Sequence, residues 1–77
     1  MTTESVRSNE DFFESARDVI IGSAPAQAQW VVISNNAVVG YHSDYGEALD
    51  AWSRLQGAVV EPLTRSAALV ASNFLPR

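Results

Sequence analysis

The chain contains no cysteine, no lysine and a single histidine, His42. Without thiols there is no disulfide to brace the fold and no thiolate metal site, and one imidazole excludes the common multi-histidine zinc sites. No apolar run approaches the ~18–20 residues needed to cross a bilayer, so no membrane association is expected. The first residues, Met1-Thr2-Thr3-Glu4-Ser5-Val6, are polar and acidic and lack the basic-then-apolar order of a secretory signal. A cytoplasmic location is therefore expected. No glycine-rich phosphate loop, nucleotide fingerprint or metal motif occurs. Accordingly no cofactor is expected, and no catalytic, cofactor-binding or metal-ligating residue is assigned.

Positive charge is also scarce. It rests on five scattered arginines, Arg7, Arg17, Arg54, Arg65 and Arg77, against nine carboxylates, for a net charge of −4. Such a surface cannot follow a phosphate backbone, which argues against direct nucleic-acid binding. At 77 residues the chain has the length of one domain. A domain of this size buries only about 60–65% of its unfolded surface, and its core supplies roughly 3–5 kcal/mol. With disulfides and metals excluded, the expected reinforcement is a homodimer or a partner protein.

What is present is a legible pattern of elements. Residues 1–7 are expected to fray. A helix over 8–21 begins at Ser8-Asn9-Glu10-Asp11, with Ser8 as cap and Asp11 near the positive end of the dipole. Phe12, Ala16, Val19 and Ile20 form its apolar stripe, Phe13 widens it, and Gly22 stops it. Residues 22–28 are a linker around Pro25. Residues 29–42 form a hairpin: Trp30-Val31-Val32-Ile33-Ser34 and Ala37-Val38-Val39-Gly40-Tyr41-His42 flank Asn35-Asn36, and Asn tolerates the positive φ that a two-residue turn demands. Strict alternation places Val38 and Gly40 on one face and Ala37, Val39 and Tyr41 on the other. Gly40 invites a bulge or a close neighbour. Both strands are apolar on both faces, so both sheet faces need cover. A second helix over 44–57 starts at Asp44 with Glu47 in the capping-box position, and Gly57 ends it. Val59-Val60 lies in a strand over 58–62 that Pro62 terminates at an edge or an end. Residues 64–75 have helical spacing at Ala67, Val70, Ala71 and Phe74; a fourth strand is the alternative.

These elements predict an α+β fold in the order α-β-β-α-β-α. Its three-stranded antiparallel sheet is a split βαβ with strand order 2-1-3 and a right-handed crossover. The crossover helix covers one face, and the terminal helices or a second copy cover the other.

The succession Trp30-Val31-Val32, an Asn turn, Val38-Val39-Gly40, a short polar link, the Asp44-capped helix, then Val59-Val60 and Pro62 resembles a family of small prokaryotic ββαβ domains of unknown function. The resemblance covers residues 30–62. It implies a fold but no activity, and it transfers no site residue.

His42, Ser43 and Asp44 are the residue types of a hydrolase triad, but sequence neighbours rarely converge in the geometry that chemistry needs. They read instead as a strand end and a helix cap. A small enzyme would need His42 or a carboxylate buried in a cleft. The expected activity is non-enzymatic protein binding. Glu10, Glu14 and Asp18 recur every four residues and form a negative stripe suited to a basic surface, including one that normally holds nucleic acid. Trp30, Tyr41, His42 and Tyr45 complete the candidate contact residues, because aromatics anchor interfaces. In size and acidity the chain resembles phage anti-CRISPR inhibitors of host defence complexes, which implies a nucleic-acid-binding host protein as partner. The alternatives are an antitoxin or regulatory accessory subunit, and a self-associating small domain.

Overall fold

Apolar side chains recurring at helical spacing produce the first element. In the computed structural model, which describes the backbone of residues 2–74 and side chains from Glu4 to Ala71, helix α1 spans Thr2–Ser23. Strands β1 (Trp30–Ser34) and β2 (Ala37–His42), helix α2 (Tyr45–Trp52), strand β3 (Val59–Pro62) and helix α3 (Arg65–Phe74) follow. The strands form one antiparallel sheet in the order β2-β1-β3, giving the expected α+β architecture.

The hairpin forms as the Asn pair dictates. Asn35 and Asn36 adopt φ of 55° and 57°, the doubly positive turn whose twist matches its flanking strands. Strand parity departs from strict alternation. Val32 pairs with Gly40 but Ile33 pairs with Val38, so Val39 is the extra residue of a bulge. This puts Val38 and Tyr41 on the same face, where both pack against the α1 side of the core, and leaves Val39 51% exposed. The bulge lies on an outer strand, where it also blunts the sheet edge.

The central strand is buried throughout. Val31 and Ile33 pack with Phe13 and Ile20 beneath α1. Trp30 and Val32 pack with Ala48 of α2 and with Ala67 and Ala71 of α3. The molecule is thus three layers, with α1 alone on one face and α2 with α3 on the other. The terminal helices do not share a face: the short Leu63-Thr64 link returns α3 to the α2 side. There the Thr64 hydroxyl accepts from the Ala67 N–H at 3.0 Å and caps the helix. Phe74 keeps its helical backbone, whereas its side chain and Leu75 lie outside the described residues.

Three helix boundaries differ from expectation: both ends of α1 and the end of α2, and Gly22 does not stop α1, which runs through it to Ser23. Residues 2–7 do not fray but form the first turns of α1, because the buried stripe is Val6, Asn9, Phe13, Ala16 and Ile20. The stripe centres on Phe13, so Phe12 is half-buried and Val19 is 71% exposed. Ser8 is consequently an interior helical residue rather than a cap. The second helix ends at Trp52, five residues before Gly57. Arg54 and Leu55 donate to Ala51 and Trp52 carbonyls three residues back, tightening the last turn. The Trp52 indole then donates to the Ala58 carbonyl at 2.7 Å and holds the loop in place.

Asn9 joins three segments. It is 2% exposed; its Nδ2 donates to the Gly57 carbonyl and its Oδ1 accepts from the Asn36 N–H, both at 2.8 Å. The Ser8 hydroxyl adds a 2.7 Å bond to Asn36 Oδ1. Gly57 has φ of +72°, and a Cβ there would overlap the Ser5 Cβ, so only glycine lets α1 approach this closely.

Truncating Asn9→Ala leaves the Asn36 N–H and the Gly57 carbonyl, both only partly buried, without their protein partner, at the low end of about 1–3 kcal/mol for each group. A loss of about 2 kcal/mol is expected in urea denaturation; a loss below about 0.5 kcal/mol would mean water replaces both bonds. Gly57→Ala should lose about 2 kcal/mol from the left-handed φ and the overlap with Ser5. Gly57→Asn relieves only the φ cost and should remain less stable than the parent. Parental stability in the Gly57→Asn variant would show that α1 moves aside at no cost.

Candidate functional site

The acidic stripe is displayed as the spacing implies. Glu10, Glu14 and Asp18 are all exposed on α1, running from the flank of its buried stripe at Glu10 to the opposite side at Asp18. Glu4 and Asp11 are exposed as well. At about 100° per residue these five carboxylates fall within an arc of about 120°. Arg7 lies inside that arc, and Arg17 flanks it, 4.0 Å from Glu14 and over the Phe13 ring. Five of the nine carboxylates of the chain are on this one helix.

The aromatic candidates are engaged in the fold to different degrees. Trp30 is 4% exposed and meets the ring of Tyr45 in a tilted contact, with centroids 4.6 Å apart and planes inclined by 49°; Tyr45 is half-buried over the same core. Tyr41 faces the opposite layer, and its hydroxyl donates to the Ile20 carbonyl at 3.1 Å, tying β2 to the end of α1. These two rings occupy opposite faces of the sheet, and both faces are covered by helices. Burial pushes the Tyr45 phenol above its ordinary value near 10.

His42 is half-buried at the end of β2, with its Nε2 folded over Gly40. It borders an open hollow with Asp44, Glu47, Asp50 and Arg54. Local bonds occupy this group. Asp44 accepts from the Glu47 N–H at 3.1 Å as the cap of α2, and Arg54 pairs with Asp50 at 2.9 Å. The Asp44 carboxylate is thus turned to its own helix. No cluster among the described residues brings three His, Cys, Asp or Glu side chains together as metal ligands.

A groove that spacing did not announce runs along β3. This strand pairs with β1 alone, so its far side is an edge of the sheet. The groove measures about 680 Å³. Val6 and Glu10 form its α1 wall, Leu49 and Trp52 its α2 wall, with Val60 and Pro62 of β3 between them. Trp52 is 42% exposed here, its indole held by the Ala58 carbonyl. The one available signal in the sequence was Pro62, which marks an edge strand. The walls come from segments far apart in the chain, so their meeting is not encoded in any local pattern.

No protein-family model matches the chain, and none of the curated proteins or solved structures matches it. Among the described residues, no helix is long and apolar enough to cross a membrane.

Tyr45 provides a check on the packing at this side of the sheet. With the folded pKa raised above the unfolded value, the neutral phenol favours the fold below about pH 10, and that contribution is lost as pH rises through the raised value. Denaturation of the parent and of Tyr45→Phe should therefore differ by a constant amount from about pH 7 to 9. Above about pH 10 the difference should shift in favour of the Phe variant. A difference independent of pH up to about 11 would show that the phenol is not desolvated.

Proposed function

We propose that this chain is a non-enzymatic protein-binding module that occludes a basic surface of its partner with the outer face of α1. The supporting observation is the exposure of Glu10, Glu14 and Asp18 on a helix whose inner face is locked to the sheet. A helix held this way loses little backbone freedom on docking, so the ordering cost is confined to its exposed side chains. Opposite charge steers encounter and sets register, more than it adds raw affinity. Exposed charges are screened beyond about 8 Å at physiological ionic strength, so binding should weaken as salt rises.

Dense basic surfaces are typically those that hold nucleic acid. The partner class this reading favours is thus a nucleic-acid-binding host protein in the cytoplasm. An inhibitor of a defence complex, of the anti-CRISPR kind from a phage or mobile element, is its concrete form. The dimer remains part of the proposal only as a second mode of closing apolar surface: Leu69 and Val70 of α3 are 59% and 38% exposed.

The test is a charge reversal, Glu10→Lys with Glu14→Lys and Asp18→Lys, in a chain whose circular dichroism is unchanged. Capture from host lysate by the parent should yield a basic protein whose nucleic-acid binding the parent competes. The triple variant should compete at least tenfold less well, about 1.4 kcal/mol. Undiminished competition by the variant would remove the acidic face from the mechanism.

A further inference from the structure

We draw no further inference here: the strongest candidate, the groove along the edge of β3 between α1 and α2, with Leu49, Trp52 and Val60 among its apolar lining, carries nothing, because nothing in the structure shows what covers it.

Discussion

Every layer of this molecule rests on the burial of β1 from both sides. Val31, Val32 and Ile33 are each 0% exposed, and burying such side chains is worth about 1.5–3 kcal/mol apiece. In a chain with neither disulfide nor thiolate metal site, this strand is the main store of stability. It also creates a difficulty. A strand that alternates apolar and polar residues reports its own register, because a one-residue slip exposes the core. A strand apolar on both faces does not. Register here has to come from groups that satisfy hydrogen bonds at fixed points: the Asn35-Asn36 turn, Asn9 between that turn and Gly57, the Tyr41 hydroxyl on Ile20, and the Trp52 indole on Ala58.

The legibility of the fold in the sequence follows from that division. Features governed by the local chain were readable. The Asn pair demands a tight turn, Asp44 caps a helix, Pro62 marks an edge, and the connections leave one sensible strand order. Features governed by distant segments were not. Val38-Val39-Gly40 permits a bulge without saying which residue is extra; the packing of Tyr41 beneath α1 decides it. The first turns of α1 look like a polar tail until Asn9 is recognised as a core position. Asn9 stands at helical spacing from Phe13, Ala16 and Ile20, and a polar residue on that stripe was the available sign of a buried hydrogen-bonding role. The early end of α2 reflects the Trp52 indole reaching the Ala58 carbonyl, a contact outside any periodicity.

The surface shows the same split. The acidic stripe was readable because one helix carries it at a four-residue period. The β3 groove was not, since α1, α2 and β3 contribute to it from opposite layers. Negative charge is also unevenly distributed. α1 holds five of the nine carboxylates, whereas exposed apolar groups are spread over the surface, with Val19 and Ile21 on α1, Val39 on β2, Trp52 on α2, and Leu69 and Val70 on α3.

The Asn9 junction bears on how the chain acquires its structure. Its two partners lie 27 and 48 residues further along. α1 is made before the sheet it covers, so its buried stripe has nothing to pack on and Asn9 has nothing to bond until Gly57 has left the ribosome. An isolated helix of this composition is marginal in water. Folding during synthesis therefore waits until β3 is available.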